Sequence, residues 1–282
     1  GLGDVYKRQY EPGSTFKIIT LATALEENVV DLEKDTFFDS GAITVEGATL
    51  HCWKHGGHGA ETYLQVVENS CNPGFVNLGL KLGKEKLFSY IDKFGFGKKT
   101  GIDLNGESSG IIFNLDKVGP VELATTAFGQ GVSVTPIQQI TAVSAAINGG
   151  TLYKPYVVKS LNEPVTNTVV KQNEPTKVRT VISEETSKKV REALESVVTN
   201  GTGRPAYIEG YRVGGKTGTA QKVQNGRYMV GNYIVSFIGF LPADDPEIIV
   251  YVAVDNAKGV TQYGGTIAAP IAKNAVSYTH LT

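Results

Sequence analysis

Ser14 and Lys17 lie three residues apart in the segment EPGSTFK, residues 11–17, where a helical apolar pattern begins. Residues i and i+3 of a helix share one face, so the hydroxyl and the amine are predicted to be neighbours. A base must take the proton of a serine before it can attack, and a lysine amine can do so when burial lowers its pKa. Alone, the pattern is explained more simply by an N-capping serine and a solvated lysine.

The triplet Ser70-Cys71-Asn72 offers a hydroxyl and an amide with one residue between them. At a turn or a helix junction, residues i and i+2 can both point into one cleft. The same triplet can equally be a plain helix cap before Pro73, and alone the cap is preferred.

A third polar segment, GGKTGTAQ, covers residues 214–221. Lys216 follows two glycines, and Gly218 stands between Thr217 and Thr219, where it permits close backbone approach. The free edge of such a strand can pair with a peptide-like substrate. A hairpin strand with a flexible lead-in explains this segment equally well.

Hydrophobic periodicity places these segments in a mixture of helices and strands. It predicts helices over 14–27, 62–70, 73–82, 84–94, 136–148 and 184–199, and short strands over 36–50, 152–161 and 165–170. Two β-prone runs, 233–241 and 248–255, are predicted to form a three-stranded antiparallel meander with KTGTAQ. Helices first and an antiparallel sheet later favour an α+β fold with a sheet flanked by helices.

The composition of the 282 residues is that of an ordinary folded domain. The chain is 41% hydrophobic and 20% charged, with a net charge of −1, which argues against disorder and against a dedicated nucleic-acid binder. No apolar run approaches the roughly 18 residues that span a bilayer.

In this order, SxxK, SxN and KTG resemble the motif set of penicillin-binding proteins and class A β-lactamases. The segments AFGQGVSVTPIQ, residues 127–138, and DNAKGVTQYGGTIAAPI, residues 255–271, are similar to the sporulation and division branch of class B penicillin-binding proteins. The resemblance covers about residues 10–274. It implies a penicillin-binding/β-lactamase-like transpeptidase fold of the α+β class, with a central antiparallel sheet flanked by helices and an all-helical subdomain.

The resemblance also bears on the ends of the chain. Residues 1–9 and 276–282 fall outside it, lack periodicity, and are expected to be foreign edge residues. The transpeptidase domain, residues 10–274, is expected to be truncated before a C-terminal helix. Loss of that helix would expose one sheet face and leave a marginally stable, aggregation-prone domain.

The resemblance implies a catalytic role for each polar residue of the first two motifs. Ser14 would be the acylated nucleophile and Lys17 its general base. Ser70 would relay a proton to the leaving amine, and Asn72 would bind a substrate amide and help to hold Lys17.

The third motif is implied to bind the substrate. Lys216 would supply positive charge and bind a carboxylate, and Thr217, Gly218 and Thr219 would bind the substrate carboxylate or backbone. The backbone N–H groups of Ser14 and Thr219 would form an oxyanion hole.

The implied reaction is D-alanyl-D-alanine transpeptidation between peptidoglycan stem peptides through a serine acyl-enzyme that β-lactams trap. No cofactor is implied. The implied partners are stem peptides, β-lactams, and membrane proteins of cell-wall synthesis, division or sporulation, and no nucleic acid. The expected location is the outer face of the bacterial cytoplasmic membrane, with an N-terminal anchor outside this chain.

Cys71, the middle residue of SxN, is a departure from many relatives, and Cys52 is the only other cysteine. They are separated by 19 residues, and the implied compartment permits disulfides. A bridge would stabilise the fold by about 3 kcal/mol in the chain-entropy model. One hypothesis is a redox-controlled site, active when reduced and blocked when oxidised; the other is two unpaired, small apolar residues.

The segment HCWKHGGHG, residues 51–59, carries three histidines beside Cys52. Such spacing can build a zinc site, but no acidic or cysteine cluster clearly completes one. The sequence therefore predicts a surface loop near the cleft and no metal.

Three alternatives to a transpeptidase remain open. A class A β-lactamase would need a glutamate in an ExxxN-type segment between Asn72 and Lys216, which is not found at a matching place. A class D β-lactamase or a β-lactam sensor would have an apolar residue instead of Asn72. A scaffold without chemistry is disfavoured by the three intact motifs.

Overall fold

The computed structural model describes residues 1–224 and 226–281. Its α-helices are α1 (Leu2–Lys7), α2 (Lys17–Glu26), α3 (Tyr63–Glu68), α4 (Asn72–Leu82), α5 (Lys84–Lys93), α6 (Pro120–Ala127), α7 (Pro136–Ile147), α8 (Glu184–Asn200) and α9 (Gly264–Leu281). Its strands are β1 (Thr36–Asp39), β2 (Ala42–Val45), β3 (Ala48–His51), β4 (Gly59–Thr62), β5 (Thr151–Lys154), β6 (Ser160–Asn162), β7 (Val169–Gln172), β8 (Thr176–Thr180), β9 (Gly214–Gln224), β10 (Arg227–Leu241) and β11 (Ile248–Asp255).

The principal sheet is the predicted antiparallel meander, with strand order β11-β10-β9. β9 pairs only with β10, so its other edge is free of strand pairing among the described residues. The pairing places Gly218 opposite Ser236 and Thr217 opposite Phe237. Edge position and register therefore present the KTG segment to its surroundings, as the sequence predicted.

α2 is the central helix of the fold. Every residue from Lys17 to Leu25 is buried, so the helix has no solvated face, as expected of a helix enclosed by others. A 3₁₀ turn, Gly13–Phe16, leads into it. The predicted helix over 14–27 is confirmed, with Ser14 in the tighter turn and Lys17 at the first α-helical position.

α9 packs against β10 and β11 and covers one face of the sheet. Its buried residues include Ala268, Ala269 and Ala272, whose small side chains let the helix approach closely. The expectation of an uncovered sheet face is therefore wrong. Two glycines at the start and Pro270 in the interior hid the helix from its sequence pattern, because both residue types have low helix propensity.

The other differences concern short elements. α1, α6, β4 and β8 were not predicted, and the single strand expected over 152–161 is two strands, β5 and β6, in separate two-stranded sheets. The helices expected over 62–70, 73–82, 84–94, 136–148 and 184–199 are present as α3, α4, α5, α7 and α8. Within the described residues, no helix has the length and apolarity needed to cross a bilayer.

Candidate active site

Ser14 is held in place by backbone packing beneath its 3₁₀ turn. Gly13 has a φ of +56° and donates its N–H to Gly129 O at 3.0 Å. Gly129 has a φ of +87°, and a Cβ on it would lie 2.1 Å from Gly13 O. The turn that carries Ser14 therefore rests on a backbone contact that requires glycine at position 129. The side chain of Ser14 faces a cavity.

Lys17 is fully buried at the start of α2 and points away from its own helix to the junction between α3 and α4. Its Nζ donates to Asn72 Oδ1 at 2.6 Å, to Ser70 O at 2.9 Å and to Ser70 Oγ at 3.2 Å. These contacts join the first predicted motif to the second. Among the described residues, Ser14 Oγ makes no hydrogen bond, so the transfer from Ser14 to Lys17 is not preformed.

Ser70 lies between the two lysines. Its Oγ accepts from Lys216 Nζ at 2.7 Å as well as from Lys17 Nζ. Its φ of +54° is in the left-handed region, which is costly for a serine and is commonest where function needs a particular side-chain direction. The strained backbone directs the hydroxyl between the two amines.

Burial makes both lysines easier to deprotonate. Desolvation lowers the pKa of Lys17 to about 7. Desolvation, followed by the charge of Lys17, lowers the pKa of Lys216 well below its usual range. A neutral amine is therefore accessible at this site near neutral pH, which is what a lysine base requires.

The β9 edge forms one wall of the cavity. Thr217 Oγ1 lies 3.0 Å from Thr202 Oγ1, and Thr219 Oγ1 accepts from Gly264 N at the start of α9 at 3.2 Å. A Cβ on Gly218 would lie 2.4 Å from Ser236 Oγ on the neighbouring strand β10. Position 218 therefore has no room for a side chain unless Ser236 moves. Lys216 lies behind this wall and does not line the cavity; it reaches the site through Ser70.

The cavity has a volume of about 360 Å³ and brings together residues from all three motifs: Ser14, Ser70, Asn72, Thr217 and Thr219. The wall also includes Trp53, Phe128, Gln130, Thr202, Tyr263 and Gly264, to which the sequence assigned no role. Phe128 and Gln130 belong to AFGQG, and Tyr263 and Gly264 to QYGG, segments that marked the resemblance without indicating a contact.

Glu11 was also missed. Its carboxylate accepts from Gly131 N at 2.9 Å and from Tyr228 Oη at 3.1 Å, and so joins the Gly129 loop to the β9–β10 hairpin. Burial raises its pKa. Its place in EPGSTFK, three residues before the nucleophile, was the available signal.

Cys52 and Cys71 are both buried and free, and their sulfur atoms lie near each other beside Asp39 and His58. A hydrogen bond from Cys71 lowers the pKa of Cys52 to about 7, and the same contact raises the pKa of Cys71. The fold places the thiols where the disulfide hypothesis needs them, and the redox role stays a prediction. Of the three histidines, His58 alone contacts this group; Trp53 of the same loop reaches the cavity.

Comparison with known proteins places this geometry in a family. Residues 3–277 match the family model "Penicillin binding protein transpeptidase domain". The chain is 69% identical over 265 residues to stage V sporulation protein D of Bacillus subtilis, with 94% of this chain and 41% of that protein covered. It is 33% identical to penicillin-binding protein PbpB of Mycolicibacterium smegmatis, with 95% and 43% covered. The chain thus spans about two fifths of the length of these relatives.

Solved structures agree. Penicillin-binding protein 3 of Mycobacterium tuberculosis, complexed with ampicillin, superposes with a TM-score of 0.89 at 29% identity, covering 99% of this chain and 63% of that one. The transpeptidase domain of penicillin-binding protein 3 from Burkholderia pseudomallei gives a TM-score of 0.86 at 29% identity, covering 98% and 80%. The α+β penicillin-binding fold expected from the motifs is confirmed, and the chain belongs to the penicillin-binding protein transpeptidase domain family.

Proposed function

We propose that this domain is a serine D,D-transpeptidase that cross-links peptidoglycan stem peptides through an acyl-enzyme on Ser14. One observation carries the proposal: Ser70 Oγ bridges the buried amines of Lys17 and Lys216 beside a cavity that Ser14 lines. Relatives named peptidoglycan D,D-transpeptidases and a related structure holding ampicillin support it.

Acylation uses these groups once Ser14 Oγ has turned towards Lys17, since no hydrogen bond joins the two in the free domain. Neutral Lys17 accepts the proton of Ser14, whose Oγ attacks the carbonyl carbon of the penultimate D-alanine. The N–H groups of Ser14 and Thr219 stabilise the oxyanion, because fixed donors in a water-poor site favour developing charge. The C–N bond breaks, and the proton held by Lys17 returns through Ser70 Oγ to the departing D-alanine amine.

Deacylation reverses the proton path. The amine of a second stem peptide attacks the ester carbonyl and loses its proton to the Ser70–Lys17 pair. The new amide forms as the bond to Ser14 Oγ breaks, and Lys17 returns the proton to Ser14 Oγ. Before acylation, the carboxylate of the terminal D-alanine would lie along Thr217 and Thr219, and its negative charge would favour the charged form of nearby Lys216 until that D-alanine leaves.

We place this reaction at the outer face of the cytoplasmic membrane, where its substrate lies. The protein partners would be membrane proteins of wall synthesis during division or sporulation. The relative named stage V sporulation protein D favours a role in sporulation.

The test is intact mass spectrometry after incubation with benzylpenicillin, on wild type, Ser14→Ala and Ser89→Ala. Ser89 is an exposed serine outside the cavity and serves as the matched control. We expect one stable adduct on wild type and Ser89→Ala and none on Ser14→Ala. An adduct that disappears rapidly with release of hydrolysed drug would indicate a β-lactamase instead, and an adduct on Ser14→Ala would refute the assignment of the nucleophile.

A further inference from the structure

Four side chains with metal-binding donor atoms converge at the junction before α4: Asp39, Cys52, His58 and Cys71. Their donor atoms all lie within 4.8 Å of one another. The side chains of Asp39 and His58 are 0% and 5% exposed, and both thiols are buried. Two sulfurs, an imidazole nitrogen and a carboxylate oxygen are the ligand types that zinc prefers. We propose that these four side chains bind one zinc ion.

The distances already approach those of a coordinated site. Tetrahedral zinc with usual bond lengths separates neighbouring ligand atoms by about 3.3–3.8 Å. Cys52 Sγ lies 3.5 Å from His58 Nδ1, and His58 Nδ1 lies 2.9 Å from Asp39 Oδ2. Only small side-chain shifts are needed to admit the ion.

The orientation of His58 argues against a proton relay. Nδ1 faces both Asp39 and Cys52, whereas Nε2 is buried without a hydrogen-bond partner. A histidine that relays protons between a carboxylate and a thiol would use one ring nitrogen for each. A metal bond at Nδ1 accounts for a ring held from that side.

The backbone holds the ligands in position before an ion enters. Asp39 accepts from Gly41 N at 2.8 Å and from His58 N at 3.0 Å, which fixes its carboxylate. Cys71 Sγ accepts from Gly74 N at 3.4 Å at the start of α4. Gly57 has a φ of +76°, and a Cβ there would lie 2.3 Å from Asp39 O, so the loop that delivers His58 crosses β1 in direct contact.

The ion would fasten the SxN motif to the β1–β4 region. Cys71 lies between Ser70 and Asn72, and Asn72 Nδ2 donates to His51 O, beside Cys52, at 3.1 Å. The four ligands come from β1, the segment after β3, the residue before β4 and the residue before α4. A Cys52–Cys71 disulfide would remove both thiolates, so the metal-bound and oxidised states exclude each other.

The first experiment measures zinc on the fully reduced domain. Reduced wild type is incubated with zinc chloride, freed of unbound metal by gel filtration, and analysed for zinc by mass spectrometry, with intact mass confirming two free thiols. We expect one zinc per chain and a higher thermal midpoint than after chelation, because a ligand of the native state alone stabilises it. Cobalt(II) in place of zinc should give a tetrahedral spectrum with thiolate-to-cobalt charge transfer. Reduced wild type that stays metal-free would overturn the proposal.

The ligand assignment is tested with His58→Gln and Asp39→Asn against the matched control His55→Gln. His55 is exposed in the same loop and takes no part in the cluster. Zinc affinity should fall at least tenfold in the first two variants and stay within twofold of wild type in the control. Equal zinc affinity in all three, or loss in the control alone, would show that the metal is held elsewhere.

Discussion

Lys17 is the residue whose environment decides the chemistry. Desolvation lowers its pKa to about 7, since the charged ammonium loses hydration that its three acceptors only partly replace. The base is the neutral amine. The rate of acylation by a β-lactam should therefore rise about tenfold per pH unit below this pKa and level off above it.

This profile is measured as the second-order acylation rate constant of wild type. Lys17→Arg, which keeps the charge and cannot act as a base in this range, is the control and should stay unreactive throughout. A rate constant that is flat across about three pH units centred on this pKa would refute the role of Lys17 as base.

Ser70 combines a catalytic hydroxyl with a strained backbone, and two substitutions separate the roles. Ser70→Ala removes the hydroxyl and keeps the strain, whereas Ser70→Gly removes both, because glycine adopts positive φ readily. Both should acylate about 10²-fold more slowly than wild type. Ser70→Gly should be more stable than Ser70→Ala by about 1 kcal/mol in urea unfolding. Near-wild-type acylation in either variant would rule out the proton relay.

At the scale of elements, the turn that carries Ser14 depends on the loop after α6. Gly129→Ala would place a methyl group 2.1 Å from Gly13 O, in addition to the cost of positive φ. The control is Gly47→Ala, which has a φ of +83° and open space around the new methyl. Gly47→Ala should cost about 1 kcal/mol of stability and leave acylation unchanged.

Gly129→Ala should cost clearly more, roughly 3 kcal/mol, and slow acylation at least tenfold. Urea midpoints and acylation rates of the two variants decide the matter. Equal losses of stability with equal acylation would mean that the Gly13–Gly129 contact does not position the nucleophile.

The elements also show what the sequence could predict. α2, α7, α8 and the β9–β11 meander have strong periodicity or β-branched runs, so local pattern and final structure agree. α9 was missed because its glycines and Pro270 oppose helix formation locally, and contact with β10 and β11 overrides them. The order of the three motifs was enough to identify the predicted site residues from the sequence. Trp53, Gln130 and Glu11 belong to no such motif, and only the fold brings them to the site.

The Asp39 cluster shows the same limit for a site. Within residues 51–59 the donors are incomplete, because Asp39 and Cys71 lie 13 and 19 residues from Cys52 along the chain. Pairing of β1 with β4 brings Asp39 opposite Gly59, next to His58. Spacing could therefore suggest the histidines but not select His58 among them.

At the scale of the molecule, α9 covers one side of the sheet. The exposed sheet face, which was the reason to expect marginal stability, is therefore not present. Ala269 on the sheet-facing side is 0% exposed, and Ile271 on the same helix is 46% exposed. An aspartate at 269 would bury an unpaired charge between helix and sheet, whereas one at 271 would stay hydrated. Ala269→Asp should therefore lower stability by roughly 4 kcal/mol or more, and Ile271→Asp by less than about 1 kcal/mol.

In thermal unfolding, this difference corresponds to a midpoint roughly 10 °C lower for Ala269→Asp than for Ile271→Asp. Since Thr219 accepts from Gly264 N at the first residue of α9, loosening of the helix should also slow acylation in Ala269→Asp. Similar midpoints for the two variants would mean that α9 contributes little to the core. The sheet face would then be effectively open, and the aggregation expected of such a face should appear in wild type as well.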